Sequence, residues 1–177
     1  MNIFLIGYRC SGKTVVGRSL ALRLNWRFID TDEEIVKEHD RSIKEIVETE
    51  GWNSFRAKEK ATLKNVCAMH QQVVATGGGI ILDSGNAERM KRSGTTVWLK
   101  ASPDTILHRM QQDENTTESR PSLTSKGSFA EITEILTLRR PRYEDAMDFC
   151  LDTDAHEVKA LCDMIINRLE DQVVKEK

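Results

Sequence analysis

The 177-residue sequence has no excess of either charge and no long apolar run. Its 26 basic and 28 acidic residues nearly cancel, so the composition gives no electrostatic reason to expect a nucleic-acid or anionic-membrane partner. No apolar stretch approaches the roughly 20 residues that a membrane helix needs. The amino terminus enters a core strand at once, which argues against a signal or transit peptide. We therefore expect no nucleic-acid partner and no membrane partner.

Closely spaced cysteine pairs are also missing from the sequence. The four cysteines, Cys10, Cys67, Cys150 and Cys162, lie far apart, and no two of them form a C-x-x-C pair. This spacing argues against a zinc site or a disulfide framework and is typical of a reducing compartment. We expect a cytoplasmic protein, and the length suggests a single domain over residues 1–177.

A phosphate-binding pattern, G-x-x-x-x-G-K-[ST], occupies residues 7–14 and lies between a strand-like and a helix-like segment. Its glycines let backbone N–H groups close around phosphate oxygens, and the following helix N-terminus adds partial positive charge. Lys13 is placed to reach the β- and γ-phosphates, and the Thr14 hydroxyl to ligate Mg²⁺. The alternative is a glycine-rich turn with a stray lysine. The pattern favours a site for a nucleoside triphosphate.

Short apolar runs alternate with longer helical patterns along the chain, which predicts an α/β fold with a parallel sheet covered on both faces. Strands are predicted at 2–6, 27–30, 72–76, 95–99 and 148–152. Helices are predicted at 14–24, 32–40, 42–69, 84–93, 103–112, 128–147 and 155–172. Ligands of such sheets bind beyond the carboxyl ends of the strands.

Residues 111–127 are polar and have no apolar periodicity. A loop of this length in a compact domain is usually functional or disordered, and we predict a mobile lid. Arg120 within it would be able to close over phosphates and stabilise the charge of a transferring group.

Two carboxylates follow the second predicted strand, at Asp30 and Asp32. Side chains two residues apart leave an extended chain on the same side. One carboxylate would hold Mg²⁺ through water, and the other would orient and deprotonate an attacking hydroxyl. The alternative is helix capping by Thr31 or Asp32, with Glu34 as the partner.

Three glycines at 77–79 follow the third predicted strand and permit close backbone approach to a ligand, although a flexible turn is the alternative. Arg56 and Glu59 are one helical turn apart, so they are able to pair and fix the guanidinium for a substrate carboxylate. A surface ion pair is the alternative.

A basic cluster occupies residues 139–143, and Pro141 within it predicts a break or kink in the helix. The cluster provides further arginines for an anionic ligand. A solvated helix face is the alternative.

Together these segments resemble the shikimate kinase family, over roughly residues 2–155. The matching segments are 7–14, 30–32, 51–59, 76–79, 120–123 and 139–143. The resemblance implies a P-loop kinase fold similar to that of nucleoside monophosphate kinases: a three-layer sandwich around a five-stranded parallel sheet, with a mobile lid. It also implies ATP-dependent phosphorylation of the shikimate 3-hydroxyl, with Mg²⁺ as the cofactor and ATP and shikimate as the small-molecule partners. We expect a monomer, with a substrate-binding helical segment at about 32–65 and the lid at about 111–127.

The resemblance also assigns roles to individual residues. It gives catalytic roles to Lys13, Asp32 and Arg120, and metal binding to Thr14 and, through water, Asp30. ATP would be bound by Arg120 and by the loop residues Cys10, Ser11, Gly12, Lys13, Thr14 and Val15. Shikimate would be bound by Asp32, Arg56, Gly78, Gly79 and Arg139. Adenine contacts are expected near residues 152–156, without assignment to individual side chains.

Two other functions remain open at this point. Another small-metabolite kinase, such as a gluconate kinase, would share the loop and the fold but should lack the paired arginines. A non-catalytic nucleotide-binding relative would be expected to lose Lys13, Asp32 or a clamp arginine, and the sequence retains all of them.

Overall fold

The computed structural model describes residues 1–112 and 128–175. The strands are β1 (Asn2–Ile6), β2 (Arg27–Asp30), β3 (Gln72–Ala75), β4 (Gly94–Lys100) and β5 (Phe149–Asp152). The helices are α1 (Lys13–Leu24), α2 (Thr31–His39), α3 (Ile43–Cys67), α4 (Ser84–Ser93), α5 (Pro103–Gln112), α6 (Ser128–Ala146) and α7 (Val158–Lys175), with a short 3₁₀ helix at Ile80–Leu82.

The strands form one parallel sheet in the order β2-β3-β1-β4-β5. Successive residues of the central strand β1 point to opposite faces. Ile3 and Leu5 pack with residues of α1 and α7, whereas Phe4 and Ile6 pack with residues of α3, α4 and α6. All four side chains are fully buried, as expected for a strand covered on both faces. The predicted three-layer α/β sandwich with five parallel strands is confirmed.

The strand order decides which motifs meet. Because β3 lies between β2 and β1, the carboxyl ends of these three strands are neighbours at one edge of the sheet. The segments that leave these ends are the phosphate loop after β1, residues 30–32 after β2 and residues 76–79 after β3. The sheet topology therefore brings together three motifs that are far apart in the sequence.

The predicted continuous helix over 42–69 is wrong at one residue. Gly51, inside α3, has φ 82° and ψ 168°, which interrupts the helical backbone. A Cβ at this position would meet no atom within 4 Å, so the positive φ rather than crowding favours glycine here. Ser42 caps the segment before Gly51 through a reciprocal pair of hydrogen bonds with Glu45.

Of the break or kink predicted at Pro141, the break is absent, since α6 continues through this residue to Ala146, whereas the kink stays a prediction. Tyr143 and Ala146 are fully buried in the cluster beneath the sheet. Burial of the last turn of α6 therefore outweighs the hydrogen bond that proline cannot donate. At the carboxyl terminus, α7 begins at Val158, three residues later than predicted.

Of the predicted lid, Gln111 and Gln112 belong to the last turn of α5. Residues 113–127, including Arg120, lie outside the described residues. In the described ranges 1–112 and 128–175, no helix combines the length and the apolar composition needed to cross a membrane.

Candidate active site

The phosphate loop is organised around the Lys13 ammonium. Lys13 is the first residue of α1, and its side chain is buried. Nζ donates hydrogen bonds to the backbone oxygens of Gly7, at 2.9 Å, and Tyr8, at 2.7 Å. The cation therefore lies inside the loop, next to the N-terminus of α1, where a phosphate anion is favoured.

Thr14 and Asp30 join the first turn of α1 to the end of β2. The Thr14 hydroxyl donates to Asp30 Oδ2 at 3.1 Å. Asp30 Oδ1 accepts from the backbone nitrogen of Asp32 at 3.0 Å and from that of Glu33 at 3.5 Å, so Asp30 is the N-cap of α2. The alternative that Thr31 or Asp32 caps this helix is therefore wrong. The Thr31 hydroxyl instead accepts from the backbone nitrogen of Gly77, which links the first residue of α2 to the glycine segment.

The oxygen atoms of Thr14 and Asp30 are suitable for Mg²⁺. This ion prefers hard oxygen ligands and commonly uses one or two carboxylates together with substrate phosphates. The described residues contain no group of three or more His, Cys, Asp or Glu side chains placed to hold a metal. A magnesium ion shared with a nucleotide fits this sparse donor set better than a resident metal centre does.

Two adjoining spaces open at this edge of the sheet. The first, called here the phosphate-loop cleft, is lined by Lys13, Thr14, Asp30, Thr153 and His156 among others. The second, called here the inner cavity, is lined by Asp32, Arg56, Glu59, Gly77, Gly78, Gly79 and Arg139, with the apolar side chains of Ile43, Trp52 and Phe55. The five residues that the family resemblance assigns to substrate binding all line the inner cavity: Asp32, Arg56, Gly78, Gly79 and Arg139.

Arg56 is fixed on one side of the inner cavity. Its Nη1 donates to Glu59 Oε2 at 2.6 Å, and its guanidinium carbon lies 5.4 Å from the ring centre of Trp52 and 5.2 Å from that of Phe55. The Glu59 side chain is only 1% exposed, so the alternative of a surface ion pair is wrong. Burial raises the pKa of Glu59, the Arg56 guanidinium opposes this shift, and the nearby Asp32 carboxylate adds to it.

The glycine segment leaves room for these charged groups. A Cβ on Gly79 would lie 2.6 Å from Arg56 Nη1, which is closer than such atoms approach. A Cβ on Gly77 would lie 2.7 Å from both Asp32 Oδ1 and Glu59 Oε1. The backbone of this segment therefore lies close to two carboxylates and one guanidinium of the inner cavity, whereas its approach to a ligand stays a prediction.

Arg139 of α6 lines the same cavity as Arg56. Its Nη1 donates to the backbone oxygen of Gly78 at 3.1 Å, and the Tyr143 hydroxyl donates to the same oxygen at 2.7 Å. Burial raises the pKa of Tyr143 to about 12, so this hydroxyl keeps its proton at neutral pH. The neighbouring Arg140 is exposed and pairs with Glu144 on its own helix. Only part of the basic cluster is therefore a solvated face.

Sequence reasoning missed two arginines at the site. Arg9 lines both the inner cavity and the phosphate-loop cleft, and it pairs with Glu131 of α6 at 3.2 Å. Arg109 of α5 donates to the backbone oxygen of Cys10 and to both the hydroxyl and backbone oxygens of Thr153, each at 3.2 Å. Arg9 occupies an unspecified position of the phosphate-loop pattern. The sequence does not indicate either contact, because Glu131 lies 122 residues from Arg9 and Thr153 lies 44 residues from Arg109.

A parallel sheet that ends in a phosphate loop, next to a cavity walled by arginines and carboxylates, defines a P-loop kinase of the small-metabolite class. The family model described as shikimate kinase matches residues 9–170. The chain belongs to the shikimate kinase family.

Individual relatives agree with this assignment. The chain is 41% identical over 179 residues to a shikimate kinase of Syntrophus aciditrophicus, covering 97% of this chain and 92% of that protein. It is 37% identical to shikimate kinase 2 of Yersinia enterocolitica, covering 98% of each. Among solved structures, it superposes on shikimate kinase from Acinetobacter baumannii in complex with shikimate with a TM-score of 0.89 and 30% identity, covering 97% of this chain and 93% of that one.

Proposed function

We propose that this protein transfers the γ-phosphate of ATP to the 3-hydroxyl of shikimate, giving shikimate 3-phosphate on the route to chorismate and the aromatic amino acids. The observation that carries this proposal is the inner cavity, where Arg56, Arg139 and the buried Asp32 surround a space next to the phosphate loop. The shikimate bound to the Acinetobacter baumannii relative supports the choice of substrate.

The inner cavity complements the groups of shikimate. Arg56 and Arg139 approach it from α3 and α6, and guanidinium groups bind carboxylates through paired, charge-assisted hydrogen bonds. Glu59 orients one of these arginines and the Gly78 oxygen orients the other, so less side-chain freedom is lost on binding. The substrate carboxylate would lie between the arginines, and the ring would pack against Gly78 and Gly79. If the shikimate ring bound in the reverse orientation, its carboxylate would lie next to Asp32 and be repelled. This repulsion favours one orientation of the ring.

The phosphate-loop cleft would hold ATP. The backbone amides of Cys10, Ser11, Gly12, Thr14 and Val15 and the Lys13 ammonium are the donors proposed for its phosphates. Thr14 and, through water, Asp30 would hold Mg²⁺, which neutralises phosphate charge in such enzymes when it is bound. The sequence places adenine contacts near residues 152–156, and Thr153 and His156 line the cleft.

Asp32 would act on the reacting hydroxyl. The hydroxyl oxygen of shikimate forms a bond to the γ-phosphorus while the bond from that phosphorus to the β,γ-bridging oxygen breaks, and ADP leaves. The hydroxyl proton passes to the Asp32 carboxylate. Phosphoryl transfer depends mainly on positioning and charge stabilisation, and the residues that line the two spaces supply these.

The remaining assignments belong to the same proposal. Residues 32–65 would form the substrate-binding segment, and residues 111–127 a lid in which Arg120 reaches ATP and excludes water during transfer. The enzyme would work as a monomer in the cytoplasm. Within the described residues, which include all four cysteines, none of the four forms a disulfide.

The test is an assay of ADP release from ATP and Mg²⁺ with shikimate, with gluconate and with no acceptor. We expect ADP release with shikimate only. Release with gluconate but not with shikimate would favour another small-metabolite kinase. Binding of shikimate without turnover would favour a non-catalytic relative.

A further inference from the structure

Two residues border both spaces of the site. Asp32 and Arg9 line the inner cavity and also the phosphate-loop cleft. On the proposed function, on which this inference rests, the only group that passes between the two spaces is the transferring phosphoryl group. A residue at this border is therefore placed to contact that group before, during or after transfer.

The charges of the two border residues differ. The Asp32 carboxylate is suited to accept a hydroxyl proton but repels an approaching phosphoryl group. A guanidinium at the same border would offset this repulsion, since arginine carries its charge at all relevant pH values and its fork geometry matches phosphate oxygens. Arg9 of the phosphate loop carries such a group and lines both spaces.

The structure holds the Arg9 guanidinium in place from two sides. Nη2 donates to Glu131 Oε1 at 3.2 Å, and the guanidinium carbon lies 5.5 Å from the ring centre of Tyr8. The side chains of Arg9 and Glu131 are only 12% and 5% exposed. An arginine offers five N–H donors, so a bond from one terminal nitrogen leaves capacity for a second anion. Glu131 and Arg139 both belong to α6, so this helix carries one arginine of the site and pairs with another.

We propose that Arg9, held by Glu131 at the border between the phosphate-loop cleft and the inner cavity, binds the phosphoryl group in transfer and the phosphate of the shikimate 3-phosphate product. The competing role is purely structural: the Arg9–Glu131 pair would only attach the phosphate loop to α6. The two roles differ in which ligands they affect. If Arg9 contacts the phosphate, its loss should weaken binding of the phosphorylated product and slow the transfer. If Arg9 only attaches the loop to α6, its loss should weaken binding of every ligand and lower the stability of the fold.

The experiment measures the affinities of wild type, Arg9→Gln and Arg9→Lys for shikimate, shikimate 3-phosphate and ADP by titration calorimetry, together with kcat and KM. We expect Arg9→Gln to weaken shikimate 3-phosphate binding by about 10-fold or more, the scale of one hydrogen bond to a charged group. Shikimate and ADP affinities should change by less than about 3-fold, and kcat should fall while KM for shikimate changes little. Arg9→Lys should recover part of the product affinity, because it keeps the charge.

The matched control is Arg140→Gln, which removes an exposed arginine of α6 that pairs with Glu144. It should leave all three affinities unchanged. Equal weakening of all three ligands in Arg9→Gln, or unchanged binding of the product, would overturn the proposal. If Arg9→Gln does not fold, an Arg9→Lys variant with wild-type affinity for shikimate and reduced affinity for the product supports it, and proportional losses overturn it. Failure of the wild type to bind shikimate at all would instead contradict the proposed function.

Discussion

The Arg56 guanidinium and the Glu59 carboxylate form a 2.6 Å ion pair in which the Glu59 side chain is almost completely buried while the Arg56 side chain remains 29% exposed. The exposed part of Arg56 lies in the inner cavity, so the pair presents a fixed cation to whatever binds there. A buried carboxylate that loses its partner is costly, because it must either stay charged in an apolar site or take up a proton. Because the carboxylate is buried, the effect of removing its partner can be measured as a change in the free energy of unfolding, without any substrate.

Replacement of Arg56 by Met should make stability depend on pH. Burial already raises the pKa of Glu59 above its ordinary value of 4.5, and loss of the guanidinium that lowers it should raise it further. The folded variant then binds a proton more tightly than the unfolded chain does. Its free energy of unfolding should therefore fall as pH rises from 4.5 through the folded pKa. Relative to wild type, we expect a loss of about 3 kcal/mol at pH 8 and a smaller loss at pH 5, measured by urea unfolding.

The control for this experiment is Arg56→Met combined with Glu59→Gln, which removes the titrating group. The difference between the losses at pH 5 and pH 8 should disappear in the double variant. Equal losses at the two pH values in Arg56→Met alone would show that Glu59 is not the group responsible.

Replacement of Gly79 by Ala should damage shikimate binding through Arg56. The backbone of Gly79 has φ −104° and ψ 4°, which alanine adopts without strain, so the effect should come from contact of the new methyl group with the guanidinium. We expect KM for shikimate to rise about 10-fold, with KM for ATP changed by less than about 3-fold. An equal change in both constants would place the disturbance outside the inner cavity.

Replacement of Asp32 by Asn should reduce the rate of transfer. The amide keeps the size of the carboxylate but does not take up the hydroxyl proton. We expect kcat to fall by a factor of order 100 or more, the scale of a lost general base, with shikimate affinity largely retained. Steady-state kinetics and calorimetry provide the two values. A variant that turns over at nearly the wild-type rate would show that Asp32 is not the base.

Replacement of Arg139 by Ala should affect the shikimate side of the site selectively. Its guanidinium lines the inner cavity and bonds to the Gly78 oxygen, so its loss removes one half of the proposed carboxylate clamp. We expect KM for shikimate to rise about 10-fold or more, while KM for ATP stays within about 3-fold. Arg140→Ala is the matched control on the same helix and should resemble wild type. Similar changes in both substrate constants for Arg139→Ala would move this residue to the nucleotide side.

Much of the fold follows from local patterns. The five strands were predictable because short apolar runs recur between longer helical patterns, and their parallel arrangement follows from that alternation. Gly51 was the exception inside α3, since an isolated glycine in a helical pattern indicates lower stability but not a positive φ. Pro141 was the opposite case, because burial of Tyr143 and Ala146 kept the helix intact.

The sequence allowed a role to be predicted where a residue belongs to a motif, as Lys13, Asp32, Arg56 and Arg139 do. Those roles stay predictions, although the residues lie around adjoining spaces. Arg9 was not predictable, because its significance depends on a contact with Glu131 that only the tertiary fold creates. The burial of Glu59, which decides the nature of its pair with Arg56, is likewise a property of the packed structure.

The most direct test of the account is identification of the product by NMR after incubation of the protein with shikimate, ATP and Mg²⁺. We expect one new phosphate monoester, formed in equal amount to ADP, whose phosphorus is coupled to the proton on carbon 3 of the shikimate ring. Free phosphate in place of an ester, or an ester at another hydroxyl, would contradict it.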